Sequence, residues 1–441
     1  MIFKNSDQVF RSILKNAGSL GTAKILGALI SLCALICASR TLTPAQFGTL
    51  TLIHTFAIGV GALTKFQSWQ MILKFGARPL ELGDEASPQD AIRFAIALDM
   101  ASGFLGALTG VIALVFFGQF CGIEPAYRFD AIFYCTLIPT MTAAAPTGIL
   151  RLFDRFDLIS RQQIITPALR GLGALTSWMT GGAFVSFLIT WYMADLIGDL
   201  VLWGLSVREL RRKNIINALR PSLLQAPKRL PGVWKFVWLT NLNTTLDACW
   251  SPVGNLIVGD FLGAVQAGRY KIATTLLESA VKPARFLEKG FYPEIMRLDP
   301  GSTHPWRLAL KTGGLSAAIG AALTCIVWLG GRPLIGLFGH HYRSAADVMM
   351  IMAPALIISM GAFPLESLLY MAGRAHKVLL SQIVSVLLYL ILLVFLLPHS
   401  GLRGAAWAYV IGICSLHLFC AAFAIMGFRQ RQKIPTSHSH V

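Results

Sequence analysis

The sequence contains one phrase twice. "RTLTPAQFGTLTL" occupies residues 40–52, and "DFLGAVQAGRYKI" occupies residues 260–272. An offset of 220 residues aligns three identities: Leu42 with Leu262, Gln46 with Gln266, and Gly48 with Gly268. The chain has 441 residues, so the two phrases lie about half a chain apart. This spacing predicts that the chain consists of two related halves.

The composition is typical of a membrane protein. Hydrophobic residues make up 55% of the chain, charged residues only 13%, and the mean hydropathy is +0.63. A soluble domain has about 25% charged residues. Lys and Arg outnumber Asp and Glu by 38 to 21. In a soluble protein this excess would suggest a nucleic-acid partner, but here basic cytoplasmic loops explain it, and no nucleic acid is expected.

Apolar runs of about 20 residues predict membrane-spanning helices. We predict twelve, which makes the chain an all-α polytopic membrane protein. The predicted spans are 20–39, 47–69, 92–119, 127–150, 162–180, 183–206, 234–258, 263–284, 312–330, 345–372, 377–397 and 403–427. Pro167 and Arg170 interrupt the fifth span. The longest connection, 207–233, is basic and too short for a separate soluble domain.

The Lys and Arg residues of the loops alternate in density along the chain. Basic clusters such as 4–15, 74–93, 151–161, 207–235 and 429–433 fall on one side, and the loops between them hold few basic residues. The positive-inside rule therefore predicts that both termini are cytoplasmic. Lys24 and the length of its apolar run disfavour a cleaved signal peptide at residues 1–39.

The even number of spans in each half predicts how the halves are related. A second echo, at an offset of 219, aligns Arg155 with Arg374 and Gln163 with Gln382. We therefore expect an N-terminal six-helix lobe (1–215), a cytoplasmic basic linker (216–233) and a C-terminal six-helix lobe (234–441). A pseudo-two-fold axis along the membrane normal would relate the two lobes. Transporters built in this way place their substrate at the repeat interface.

Two stretches resemble a known family. "AKILGALISLCALICASRTLTPAQFGTLTL" (23–52) is similar to the opening of bacterial polysaccharide repeat-unit flippases (Wzx-type). "NLIVGDFLGAVQAGRYKIATTLLESAVKPARFLEKGFYPEI" (255–295) resembles their seventh and eighth helices. The chain departs from that pattern at Arg269, where an apolar residue is usual. The family belongs to the multidrug/oligosaccharidyl-lipid/polysaccharide exporter superfamily, which also holds cation-coupled drug antiporters.

The resemblance implies a two-lobed transporter with a central cavity. The implied substrate is an undecaprenyl-diphosphate-linked oligosaccharide, flipped from the cytoplasmic to the outer face of the bacterial inner membrane by alternating access. Its implied partners are membrane lipid, a H⁺ or Na⁺ counter-ion, and the glycosyltransferases and polymerase of the same pathway. The resemblance also places Lys24 and Lys65 where lipid-linked flippases carry basic residues that face the cavity.

Basic side chains within spans are candidates for binding a diphosphate, because ammonium and guanidinium groups neutralise and hydrogen-bond its oxygens. An ionisable group in a span costs about 2.5–3.5 kcal/mol on insertion scales, which makes a functional role the default hypothesis. The candidates for substrate binding are Lys24, Lys65, Arg170, Arg269, Lys271 and Lys282. Snorkelling to the head groups is the alternative for those near a span end, and a local ion pair is the alternative for Arg170.

Acidic side chains within spans are candidates for coupling transport to a cation. Asp195 and Asp199 are four residues apart and share a helix face. Such a pair favours a proton or sodium site, unless each carboxylate is neutralised by its own Lys or Arg. Asp247, near Asn241 and Asn243, is a third candidate.

Two other functions stay open. A cation-coupled multidrug or metabolite antiporter would keep the fold and change the ligand. A membrane polymerase or ligase would need a large outer loop, whereas the longest predicted loop is cytoplasmic. The sequence has no Walker A loop, nucleophile elbow or H-E-x-x-H motif, and its 8 cysteines show no metal-ligand spacing. We therefore expect neither an enzyme nor a bound cofactor.

Overall fold

The computed structural model is predominantly helical in its described part and contains no strand there. It describes residues 6–84, 86–141, 143–223, 226–281, 291, 295 and 303–432. The helices up to the second phrase are α1 Ser6–Thr41, α2 Pro44–Thr64, α3 Ser68–Glu81, α4 Ala86–Phe117, α5 Arg128–Tyr134, α6 Ile138–Met141, α7 Ala145–Leu152, α8 Phe156–Met179, α9 Phe184–Arg212, α10 Ala226–Arg229 and α11 Val233–Leu262. The later helices are α12 Ala264–Val281, α13 His304–Gly336, α14 Ser344–Met352, α15 Pro354–Met371 and α16 Ala375–Gln432.

The all-α polytopic fold class is confirmed. Within the described residues, eight helical segments are long and apolar enough to cross a membrane. One of them, His376–Met426, contains two predicted spans, and non-helical Gly401 divides it between them. The predicted spans 162–180, 234–258 and 263–284 form helices α8, α11 and α12 but are not among the eight.

The second predicted span is shorter than expected. Helix α2 ends at Thr64, and Lys65, in an extended conformation, turns the chain into the separate helix α3. Phe66 and Trp69 extend the predicted span to residue 69, although Lys65, Gln67 and Ser68 are polar. Helix α3 has a strongly one-sided apolar face, and its Met71 and Ile72 are buried in the core against α4 and α7.

The fourth predicted span is not one helix. Between residues 127 and 152 the chain forms α5, a short 3₁₀ turn at Cys135–Leu137, α6 and α7. Helix α6 ends at Met141 and α7 begins at Ala145, with Pro146 in its first turn. Proline has no N–H to donate and is tolerated at a helix start, which favours a restart at this position. Broken helices at membrane depth need polar partners for the freed backbone groups.

The repeated phrase begins a helix each time. In the first copy, Thr43 and Gln46 form a capping box, in which each side chain accepts a hydrogen bond from the backbone N–H of the other residue. In the second copy, Gly263, at φ +80°, separates α11 from α12. The two copies touch, because Gly268 lies against Phe47 and the backbone of Gly48.

The chain forms two compact units, Met1–Gly268 and Arg269–Val441. The first unit has a core around Met71, Phe94, Ala145 and Leu210, which also buries Ala218 of the basic linker. The second has smaller apolar clusters around Ala309 and Leu369. The boundary after Gly268 groups α11 with the first unit, whereas the predicted C-terminal lobe begins at residue 234. The two six-helix lobes, which were inferred from the sequence repeat, therefore stay a prediction.

Candidate functional site

Arg170 and Asp195 form the centre of a buried polar cluster in the first unit. Arg170 lies in α8 and Asp195 lies in α9, and the Arg170 Nη2 donates to Asp195 Oδ1. Both side chains are largely shielded, with exposures of 15% and 10%. The Arg170 guanidinium also lies 5.4 Å from the ring centroid of Trp191, within range of a cation–π contact. The local ion pair that was the alternative for Arg170 is therefore present.

Two side chains extend this cluster from other helices. Tyr134 of α5 donates its hydroxyl to Asp195 Oδ2 at 3.2 Å, and His54 Nδ1 of α2 lies 3.0 Å from the same hydroxyl. Because the single phenolic hydrogen is used on Asp195, His54 Nδ1 must donate to the phenolic oxygen. His54 Nδ1 is also 3.7 Å from Asp195 Oδ2. The result is a chain of polar contacts from α2 to α8 that passes through one carboxylate.

Lys65 and Asp99 occupy the break in the fourth predicted span. The Lys65 Nζ donates to the Met141 carbonyl at 3.2 Å, where α6 ends. Asp99 Oδ2 accepts from the backbone N–H groups of Ala144 and Ala145, each at 2.7 Å, where α7 begins. A lysine at a helix C-terminus and a carboxylate at a helix N-terminus both complement the helix dipole. These two side chains therefore stabilise the break.

Asp199 connects the break with the Arg170–Asp195 pair. It lies on α9, one turn after Asp195, beside the Thr140 hydroxyl and within electrostatic reach of Lys65. Its Oδ2 is buried without a hydrogen-bond partner among the described residues. Asp195 and Asp199 thus each have a basic neighbour, Arg170 and Lys65 respectively.

The cluster has an excess of carboxylates. Its fixed cations are Lys65 and Arg170, and its carboxylates are Asp99, Asp195 and Asp199. Two positive groups against three acidic ones leave one negative charge when all carboxylates are ionised and His54 is neutral. Such an arrangement can bind a proton or pass a cation from one carboxylate to another. Its Lys and Arg side chains can also leave the carboxylates and bind an anionic ligand.

The other predicted site residues lie on α1 and α12 or outside the described part. Lys24 is exposed on α1, and the Arg269 Nε donates to the His341 carbonyl at 3.1 Å, within the second unit. Lys271 is half-buried on α12. Lys282 and the side chain of Asp247 lie outside the described residues.

Sequence reasoning missed His54 and Tyr134 as members of the cluster. His54 had a signal, because an ionisable ring lies in the middle of an apolar run. Tyr134 had none, since a tyrosine in a span is ordinary. Asp99 was visible as an intramembrane acid, but its role at the break required knowing that the fourth span is discontinuous.

The family assignment follows from comparison with known proteins. The family model described as "Polysaccharide biosynthesis protein" matches residues 13–282, which include the whole polar cluster. The chain belongs to this family. A curated relative, the "Inner membrane protein YghQ" of Escherichia coli (strain K12), is 39% identical over 345 residues, which are 78% of this chain and 97% of the relative. Together with the eight apolar helical segments of the described residues, this makes the polysaccharide biosynthesis family member a multi-pass membrane protein.

Solved structures show which fold the family member has. It is similar to a multidrug resistance MATE family transporter of the MOP superfamily in its inward-facing conformation, with a TM-score of 0.72 and 15% identity over 93% of this chain and 96% of that chain. A MOP superfamily transporter from Pyrococcus furiosus gives a TM-score of 0.59 and 15% identity, over 95% and 97% of the two chains. The chain therefore has the fold of these MOP superfamily transporters.

Proposed function

We propose that this transporter flips undecaprenyl-diphosphate-linked oligosaccharide repeat units from the cytoplasmic to the outer face of the inner membrane by alternating access. The family match to polysaccharide biosynthesis supports the substrate class. The observation that carries the proposal is the pairing of Lys65 and Arg170 with carboxylates inside apolar spans. Each cation is held where a diphosphate could replace the carboxylate as its partner.

The exchange of partners gives the cluster a mechanism. A diphosphate accepts strong hydrogen bonds from guanidinium and ammonium groups. After Lys65 and Arg170 have released the diphosphate at the outer face, Asp195 and Asp199 take up a proton or Na⁺ from that side. Return of the empty transporter carries that cation inward and releases it to the cytoplasm before the next diphosphate binds. The outward flux of a dianion is then coupled to an inward flux of H⁺ or Na⁺.

The membrane potential acts in the same direction. Moving one charge across the membrane is worth about 2.3 kcal/mol per 100 mV. An inside-negative potential therefore favours the outward movement of a dianion by roughly twice that amount. Lys24, Lys271 and Lys282 remain proposed head-group contacts, Asp247 a proposed cation ligand, and Arg269 a contact that must first release the His341 carbonyl.

The carboxylate excess favours a second candidate function. Three acidic groups against two cations also suit a cationic drug or metabolite, exchanged for H⁺ or Na⁺. In that case Asp195 and Asp199 would contact the ligand, and Lys65 would only stabilise the break between α6 and α7.

Complementation tests the first candidate against the second. The wild type, Lys65→Ala, Arg170→Ala and the control Lys311→Ala are expressed at equal membrane levels in a bacterium that lacks its own repeat-unit flippase. Lys311 is exposed on α13 and matches Lys65 in chemistry. We expect surface polysaccharide with the wild type and the control, and none with the two variants. Restoration by all four would remove Lys65 and Arg170 from substrate binding. Resistance to cationic dyes without restoration by any would replace the flippase with the antiporter.

Coupling is tested separately in liposomes that contain the purified protein and a lipid-linked oligosaccharide. We expect the rate of flipping to rise with an imposed inward proton or sodium gradient. A rate of flipping that does not change with either gradient would mean that the protein is a uniporter driven by the membrane potential alone.

A further inference from the structure

The first unit contains a second polar site, which shares no lining residue with the buried cluster. It is a cavity of about 960 Å³ between the start of α4 and the basic linker. Its polar walls are Arg93, Arg220, Arg229 and Asp90. Its apolar walls include Ala97, Met100 and Leu223. The cavity is therefore cationic at one end and apolar at the other.

The linker is folded onto α4 rather than hanging loose from it. The Ser222 backbone N–H donates to the Arg93 carbonyl at 3.2 Å, and Arg93 Nε donates to the Asn217 carbonyl at 3.3 Å. Ala218 is fully buried in the core of the unit. These contacts hold Arg220 beside the cavity, although its side chain is solvent-exposed.

The charges in the cavity do not cancel. Asp90, which is 4% exposed, accepts from Arg93 at 3.3 Å and from Arg229 at 3.2 Å. Three guanidinium groups against one carboxylate leave two positive charges facing the cavity. Guanidinium groups recognise phosphate with paired, charge-assisted hydrogen bonds. The cavity thus has the chemistry of a phosphate site.

The apolar end continues onto the outer surface of α4. Met100, Phe104 and Leu108 follow one another at four-residue spacing on one helix face and are 46%, 63% and 57% exposed. Seven residues separate Arg93 from Met100, about 10 Å along a helix. That distance is enough to pass from the head groups into the hydrocarbon, because the interfacial region is about 5–8 Å thick on each side. A lipid with its phosphate on the arginines would have its chains on this stripe.

We propose that this cavity binds the phosphate head group of an anionic membrane phospholipid, with an acyl chain along the Met100–Phe104–Leu108 face of α4. Basic pockets on the cytoplasmic side of membrane helices are suited to such head groups. The site binds a resident lipid and is distinct from the transported substrate, so it does not depend on the proposed function. A bound lipid ties the linker to α4 more firmly than the Asp90 contacts alone.

Native mass spectrometry of the detergent-purified protein tests the site. The protein is titrated with short-chain phosphatidylglycerol, with phosphatidylcholine of equal chain length, and with inorganic phosphate. We expect one saturable phosphatidylglycerol site, weaker phosphatidylcholine binding, and no competition by phosphate at equal concentration. Equal binding of both lipids would contradict recognition of the head group by the arginines. Competition by inorganic phosphate at equal concentration would contradict a contribution of the acyl chain to binding.

Variants locate the site within the basic region. Arg220→Gln removes the arginine that has no contact with Asp90, and Arg220→Glu reverses its charge. Arg211→Gln is the matched control, because Arg211 is an exposed arginine at the end of α9 that does not line the cavity. We expect about a tenfold loss of affinity with Arg220→Gln, a larger loss with Arg220→Glu, and no change with Arg211→Gln. Equal losses in Arg220→Gln and Arg211→Gln would reduce the site to general surface charge and contradict the proposal.

Discussion

Arg170 and Asp195 join α8 to α9 through an ion pair whose carboxylate also accepts a hydrogen bond from Tyr134. The pair is largely shielded from solvent and lies in the middle of α8 and α9. In such surroundings the two charges depend on each other, because either one alone would be a charge without a partner at membrane depth. The pair is therefore a structural tie between α8 and α9, and under the proposed function it is the contact that the diphosphate opens.

Removing one member of this pair should destabilise the protein. We expect Arg170→Gln to lower the free energy of unfolding by about 3–5 kcal/mol, because it leaves Asp195 buried and unpaired. The double variant Arg170→Met/Asp195→Leu should recover a large part of that loss. Thermal unfolding of the purified protein measures both. Arg403→Gln is the control, since its 3.5 Å contact with Asp347 is exposed and worth about 0–1 kcal/mol. Equal losses in Arg170→Gln and Arg403→Gln would refute the burial argument.

Asp99 should be needed for the restart of the broken helix. Asp99→Ala leaves the N–H groups of Ala144 and Ala145 without an acceptor, at a cost of about 1–3 kcal/mol for each group. Asp99→Asn keeps one carbonyl oxygen and should cost less. The exposed Glu124→Ala is the matched removal of an acid and should be neutral. If Asp99→Ala and Asp99→Asn unfold at the same temperature as the wild type, the carboxylate does not hold the break.

Gly48 should not accept a side chain. A Cβ there would lie 1.9 Å from the carbonyl oxygen of Ala264, a backbone atom that cannot rotate away. We expect Gly48→Ala to destabilise the protein by about 1–3 kcal/mol or to prevent its accumulation in the membrane. Gly204 is a helical glycine with no atom within 4 Å of an added Cβ, so Gly204→Ala should be neutral or stabilising by about 0.5–1 kcal/mol. Similar stability of Gly48→Ala and Gly204→Ala would show that Gly48 and Ala264 are packed less closely than in the structure.

Asp157 should make the stability of the folded protein weakly dependent on pH in the acid range. It lies before the predicted span 162–180, and two hydrogen bonds from Arg155, at 3.0 and 3.1 Å, hold its pKa below the usual range. A lowered folded pKa adds stability that is complete above the unfolded pKa of about 3.9 and is lost as the pH falls through the folded pKa. Asp157 is half exposed, so the contribution is at most about 1 kcal/mol.

The Asp157 dependence is measured as the difference in Tm between the wild type and Asp157→Asn. We expect the wild type to be more stable near neutral pH and the difference to vanish below about pH 3. A difference that stays constant across this range would mean that the substitution acts through packing.

The sequence predicted the all-α membrane class, because that class depends on the length and hydropathy of local runs, but it missed the early end of the second span and the break in the fourth. It also selected Lys65, Arg170, Asp195 and Asp199 as intramembrane charges. It did not predict their partners, because pairing depends on which helices meet in space. Lys65 illustrates this limit, since its contact at the Met141 carbonyl exists only because the fourth predicted span is broken. An unbroken apolar run hides such a break from any window of hydropathy.

The contact between Gly48 and Gly268 bears on the origin of the chain. The two glycines are equivalent positions of the repeated phrase, and a Cβ added to Gly268 would lie 3.2 Å from the Cα atom of Gly48. A position that touches its own equivalent is what a two-fold axis produces in a symmetric dimer. If the predicted repeat arose by duplication, an ancestor with half of this length is expected to assemble as a homodimer through this same phrase. Gene duplication and fusion would then have made that interface permanent, with a glycine retained on both sides.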